Sequence, residues 1–223
     1  MLLKILLSFC FFVGLHGQSQ SSGWQPASRS ENKLIGRITG TRNCMGFKFD
    51  ENHVVSTSTC LKSSSDVYFN NIRLDPIYFH KMWKASSPSD FNLAIAKFAI
   101  RPRLAPLVTQ KSVHNNDQMV SYRFSRGRLV RRMFAVVPRR TCDRIYFTLQ
   151  PNAARTKRNR GMYLCAHPAR GSRNDVMGSA ALGAPLTDPS DPSRVAAVYS
   201  FTGVHDGERY YFFTFVSEIF SEF

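Results

Sequence analysis

Hydrophobic and polar positions alternate along most of this chain at the two-residue spacing of half-buried strands, and turn-forming residues break the runs at short intervals. KLIGRIT, MGFKF, HVVSTST, DVYFNNIRL and NLAIAKFAI form a first group, and QMVSYRF, RLVRRMFAVV, IYFTL, MYLC, RVAAVYSF and YYFFTFV form a second. A polar interval containing Pro102, Pro106 and HNND at 114–117 separates them. Helical periodicity is nearly absent outside the tail, where Val216, Ile219, Phe220 and Phe223 recur along one helix face. About a dozen short strands in two groups predict an all-β fold, either paired barrels or a sandwich. The groups occupy about 33–110 and 117–215.

The ends of the chain change the picture of where it works. MLLK, then ILLSFCFFVGL, then HGQS give the basic start, apolar middle and small polar close of a secretory leader over residues 1–17. No apolar run reaches the roughly 18 residues a spanning helix needs, so a soluble, secreted protein is expected. A Ser/Gln-rich linker follows at 18–32, and the domain fills 33–223. Loss of Cys10 with the leader leaves Cys44, Cys60, Cys142 and Cys165, and an oxidising compartment makes two disulfides the expectation. Three pairings are open; the two sequence-local ones each fall within one group of strands. A ring of about 16 residues would contribute about 3 kcal/mol, a staple beside the main core.

Charge narrows the candidate surfaces. The chain carries 30 Lys and Arg against 15 Asp and Glu, and removing Lys4 leaves 29 against 15, a net charge of +14. Fourteen of these cations lie between Arg123 and Arg173, where Asp143 is the sole acid. Two clusters dominate, RGRLVRRM with Arg126, Arg128, Arg131 and Arg132, and ARTKRNRG with Arg155, Lys157, Arg158 and Arg160. Guanidinium forks match sulfate, phosphate and carboxylate bidentately. The clusters read as solvated faces, as a site for sulfated glycans or an anionic membrane, or, at 155–160, as a processing site. Nucleic acid is the less expected partner for an exported chain. His53, His80, His114, His167 and His205 are scattered without metal-ligand spacing, no cofactor motif is present, and GVHDGE around His205 and Asp206 reads as a turn.

CMGFKFDENHVVSTSTC resembles the stretch of chymotrypsin/trypsin-like serine proteases that ends in VVTAAHC. FNLAIAKF is similar to that family's NDIALLKL, GMYLCAHP to NMLCAG, GAPL to the end of GDSGGPL, AAVYSFTG to GIVSWG, and YYFFTFVSEIF to GVYTRVSSYL. The order is the family's, and the resemblance runs from 33 to 223. It implies two packed six-stranded Greek-key barrels with a short C-terminal helix, and a bridge from Cys44 to Cys60. The interval from Cys142 to Cys165 is longer than the family's, so ARTKRNRG reads as an insertion in that loop.

The same resemblance implies lost chemistry. The catalytic base is a histidine directly before the cysteine, but Thr59 stands there, and a hydroxyl is far too weak a base near neutral pH. The aspartate that orients it is replaced by Asn92, and the nucleophile by Leu182. Ala180 takes the place of the oxyanion-hole glycine and Ala181 that of the aspartate receiving the activated N-terminus. Val176 falls at the base of the specificity pocket and Tyr211 at a wall glycine, where its ring would fill the slot. The activated IVGG-type N-terminus has no counterpart, since Arg37-Ile38-Thr39-Gly40 lies only a few residues before Cys44. The resemblance therefore implies a secreted, non-catalytic homologue that binds a protein partner and regulates a proteolytic or signalling cascade in an immune or reproductive secretion. The alternative is a cationic polyanion-binding or antimicrobial protein.

Overall fold

The computed structural model describes residues 23–40, 43–62, 66–85, 91–100, 108–151, 162–169, 176–217 and 219. The expected leader, and the basic cluster Arg155, Lys157, Arg158 and Arg160, lie outside the described residues.

The chain enters through a two-residue strand β1 (Gln25–Pro26) and a short helix α1 (Arg29–Leu34). Strands β2 (Ile35–Thr39), β3 (Cys44–Lys48) and β4 (His53–Ser56) follow, then one helical turn α2 (Ser58–Leu61) and strands β5 (Val67–Phe69), β6 (Ile72–Phe79) and β7 (Ala94–Phe98). These six strands close a barrel in the order β2-β3-β4-β7-β6-β5. After β8 (Thr109–Gln110) come β9 (Gln118–Ser125), β10 (Arg128–Val136), α3 (Arg139–Leu149), β11 (Tyr163–Pro168), β12 (Pro185–Thr187), β13 (Arg194–His205) and β14 (Glu208–Phe215). Pairing of β9 with β10 closes a second six-stranded ring, β9-β10-β11-β14-β13-β12, onto which β1 adds beside β10 and β8 beside β13. Both rings share one connectivity, the last three strands returning in reverse order beside the third, and closure leaves neither with a free edge.

Alternation within the strands builds both the interiors and the seam. In the first barrel Cys44, Val54, Ala94 and Ala96 point inward, packed with Ile38, Phe69 and Phe98. Their neighbours Met45, Phe47, Val55 and Ile95 point outward into a cluster shared with Tyr122, Phe134, Tyr199 and Phe213 of the second barrel. A strand apolar on both faces is the signature of a sheet buried on both sides. Cys44 is bonded to Cys60 and Cys142 to Cys165.

Three expectations are corrected. IYFTL is not a strand; it is the second half of α3. Cys142, Ile145 and Tyr146 are buried at helical spacing, the Cys142–Cys165 bridge and the Tyr146 ring stacked on Tyr163 hold that face, and Arg139 pairs with Asp143 one turn on at 3.2 Å. β-Forming residues yield to helical burial here because tertiary packing outweighs propensity. The 18–32 segment is not a free linker over its described part. Ser28 caps α1 in a reciprocal box with Glu31, Trp24 packs edge-on against Phe134, and Leu34 enters the core. HVVSTST likewise ends as a strand at Ser56 and turns into α2. Of the expected terminal helix, Ser217 and Ile219 are helical and the rest lies outside the described residues.

Candidate functional site

The turn α2 begins where β4 leaves the first barrel, and the bridge from Cys60 to Cys44 in β3 fixes its far end. Ser58 donates its hydroxyl to the Leu93 carbonyl at 2.7 Å, tying the turn to the start of β7. Thr59 and Asn92 thereby meet. The Asn92 side-chain oxygen accepts both the Thr59 backbone N–H and the Thr59 hydroxyl, each at 3.0 Å, and Asn92 is buried. Because the backbone N–H can only donate, the amide oxygen must face it, which settles the amide orientation. The pair is neutral and mutually satisfied. It holds the turn in place and offers no group that titrates near neutrality.

Leu182 ends a single 3-10 turn, Ser179–Ala181, that faces β3 from the second barrel. Its N–H donates to the Ser179 carbonyl at 3.1 Å, and its own carbonyl accepts from Met45 N–H at 2.7 Å and lies 3.5 Å from the Cys60 sulfur. Its side chain packs against the core of the first barrel and against the shared cluster. Gly183, at φ +80°, then donates to the Tyr199 carbonyl in β13. The Cys60 contact brings Leu182 into the neighbourhood of Thr59 and Asn92. Both backbone groups of Leu182 are engaged and the side chain is apolar, so nothing at this position can attack a carbonyl carbon or bind an oxyanion.

Tyr211 is buried, its ring edge-on to Phe134 at 5.4 Å and tilted against Tyr199 at 6.1 Å. Burial pushes the Tyr199 phenol up to about 12, and it donates to the Met177 carbonyl at 3.1 Å and meets the Thr202 hydroxyl at 2.6 Å. A groove of about 390 Å³ lies beside Val176, bounded by Arg123, Phe124, Arg126 and Ala180.

Neither a protein-family model nor a curated protein matches the sequence. Among solved structures, the crystal structure of the scabies mite inactivated protease paralogue S-D1 aligns with 90% of this chain and 97% of its own at a TM-score of 0.66 and 13% identity. The fold is trypsin-like.

Within the trypsin-like frame, Thr59, Asn92 and Leu182 sit at the seam between the barrels, on elements contributed by both. The basic residues disperse. Arg126 and Arg128 are exposed on the β9–β10 hairpin, whose tip Arg126-Gly127 takes positive φ at both positions. Arg131 instead pairs with Glu31 at 3.0 Å. Arg132, expected on the same surface, is only 2% exposed, its guanidinium 5.9 Å from the Trp24 ring centre, so it does not share a solvent-facing patch with the hairpin tip. Arg123 covers Trp24 at 4.3 Å and donates to the Val176 carbonyl. An alternating strand must send neighbouring arginines to opposite faces, whereas their closeness in sequence suggests a single face.

The histidines serve local structure. His53 meets Asp50 at 2.9 Å, His114 meets Asp117 at 3.7 Å, and His205 meets its neighbour Asp206 at 3.3 Å where β13 enters the turn to β14. His80 accepts from Met82 N–H and stacks on Phe91. Among the described residues no three His, Cys, Asp or Glu side chains converge as a metal site.

Proposed function

We propose that this chain is a secreted, non-catalytic homologue of trypsin-like serine proteases that acts by binding a protein partner, regulating a proteolytic or signalling cascade in an immune or reproductive secretion. Leu182 carries the reading. An apolar side chain packed against both barrels, with its N–H committed to Ser179, stands at the position that the sequence resemblance assigns to the nucleophile. The Thr59–Asn92 pair agrees, because its hydrogen bonds hold a turn and activate nothing. The similar mite structure is itself described as an inactivated protease paralogue, which supports the reading. The two disulfides fit an oxidising extracellular space.

The test is chemical. A fluorophosphonate probe is expected to leave the purified protein unlabelled, and the triple variant Thr59→His, Asn92→Asp, Leu182→Ser is expected to hydrolyse no peptide ester. The variant still lacks an oxyanion donor, since the 3-10 turn binds that N–H internally. Labelling of the unaltered protein would overturn the reading.

Exposure of Arg126 and Arg128 at a hairpin tip favours a second reading, binding of sulfated glycans or other polyanions. Arg126→Ser with Arg128→Ser is expected to lower the salt needed for elution from heparin, since a sulfate that no guanidinium neutralises keeps its counterion. Elution unchanged by the pair excludes the hairpin as the site.

A further inference from the structure

A solvent-facing aromatic patch stands beside the turn that carries Thr59 and Asn92, since Lys62 caps α2 and the His80 ring stacks on Phe91. Among the described residues six large apolar side chains are exposed, and three of them, Tyr78, Phe79 and Met82, fall within five consecutive positions; Tyr78 and Phe79 are strand neighbours and take opposite faces of β6, and it is Phe79 that shares its side with Trp83. They leave the end of β6 and enter a turn built around His80. Its backbone N–H donates to the Leu93 carbonyl at 3.0 Å, its carbonyl accepts from Trp83 N–H at 2.9 Å, its Nδ1 accepts from Met82 N–H at 3.1 Å, and its buried ring stacks on Phe91. The turn is thus set by the interior and holds its outer side chains in one arrangement. Phe79 stacks on Trp83 at 5.3 Å, and the Lys62 ammonium lies 5.6 Å from the Trp83 ring centre. Lys62, Lys81 and Lys84 are exposed around these rings, and no acid occurs between Pro76 and Ala85.

We propose that this patch seats the protein on an anionic lipid surface. The chemistry selects the occupant. The Trp ring, with an apolar body and a polar N–H edge, settles at the headgroup level, while Phe and Met enter the apolar space beneath it. Lysines lay their methylenes along apolar material while the ammonium stays wet, and each ammonium near an anionic surface adds attraction. Protein interfaces, by contrast, enrich arginine and deplete lysine. This chain uses arginine for most of its positive charge, yet the described cation over the Trp83 ring is Lys62, and the two cations in the turn itself are Lys81 and Lys84. The attachment proposed is peripheral, through side chains on the barrel rim, and no described helix is long and apolar enough to cross a membrane. The inference is independent of the catalytic reading.

The chain has two tryptophans, and Trp24 lies against the second barrel, so Trp24→Phe leaves Trp83 as the sole reporter. With vesicles of mixed phosphatidylcholine and phosphatidylglycerol, Trp83 emission is expected to shift to the blue and to be quenched by brominated acyl chains. Pure phosphatidylcholine should give neither change. Phe79→Ser with Met82→Ser is expected to weaken partitioning about tenfold, because less apolar surface enters the lipid. Lys81→Glu with Lys84→Glu should weaken it by at least as much, with a reduced salt dependence. Both pairs change exposed side chains, and circular dichroism checks that each variant folds. Three outcomes overturn the proposal: no binding to the anionic vesicles, binding that both variants retain with Trp83 emission unmoved, or concentration-dependent self-association that the Phe79/Met82 pair abolishes. The second would assign the attraction to the arginines, and the third would make the patch an interface between copies.

Discussion

Gly183→Ala is expected to remove about 4 kcal/mol of stability, enough to unfold a marginal domain, with the two barrels separating first. A Cβ built at this position meets the Met45 carbonyl oxygen and the Ser56 hydroxyl, each at 2.1 Å. Neither partner can retreat. Ser56 Oγ donates to the Met45 carbonyl at 2.6 Å inside the first barrel, and Gly183 N–H is bound to Tyr199 of the second. To the overlap is added a φ of +80°, which costs a residue with a Cβ about 1–2 kcal/mol. Gly127 supplies the control, with φ +79° and open space around its Cβ direction. Gly127→Ala should lose only the conformational part, about 1 kcal/mol. Urea denaturation of both variants separates the contributions, and equal losses would show that the steric account of Gly183 is wrong.

Glu31→Ala is the second large effect, an expected loss of about 3 kcal/mol, at the low end for a broken buried pair because Arg131 still reaches solvent. Burial alone would push the Glu31 carboxyl up. Hydrogen bonds from the Ser28 backbone and from Arg131 and Tyr122 outweigh it, and the group ends below the usual carboxylate range. A lowered folded-state pKa means that the stabilisation is present above the unfolded-state pKa and is lost as pH falls through the folded-state one. The difference in stability between the unaltered protein and Glu31→Gln should therefore shrink on acidification. Asp188, held at about 2 by hydrogen bonds from Ser190, is common to both proteins and drops out of the comparison. A difference independent of pH would mean that Glu31 contributes through packing alone.

Much of this architecture was legible in the chain because strands buried on two faces leave regular apolar marks. MGFKF and NLAIAKFAI became β3 and β7, and Asn70-Asn71 made the turn between β5 and β6 with positive φ at both residues. The helix α3 was hidden because Ile145, Tyr146 and Phe147 have the composition of a strand, and only the burial of Cys142, Ile145 and Tyr146 together reveals the helical period. The S-R-S-E capping box at Ser28 was present to be read, but a Ser/Gln-rich setting concealed it. That omission propagated. Without α1, Glu31 has no place beside β10, and Arg131 looks like a solvent-facing cation. The aromatic patch escaped for the opposite reason, since consecutive apolar residues in sequence suggest a core, and the exposure of Tyr78 and Phe79 depends on where β6 meets the barrel rim. Thr59, Asn92 and Leu182 were singled out by resemblance, while their hydrogen bonds and the packing of Leu182 come from the assembled barrels.

Leu182 also bears on which substitutions this sequence tolerates. Because its side chain joins two cores, a serine there would withdraw apolar packing from both barrels. Each such variant would be less stable whatever its hydroxyl could do. The seam therefore acts as a ratchet: selection for a well-joined scaffold keeps the leucine, while surfaces away from the seam stay free to diversify.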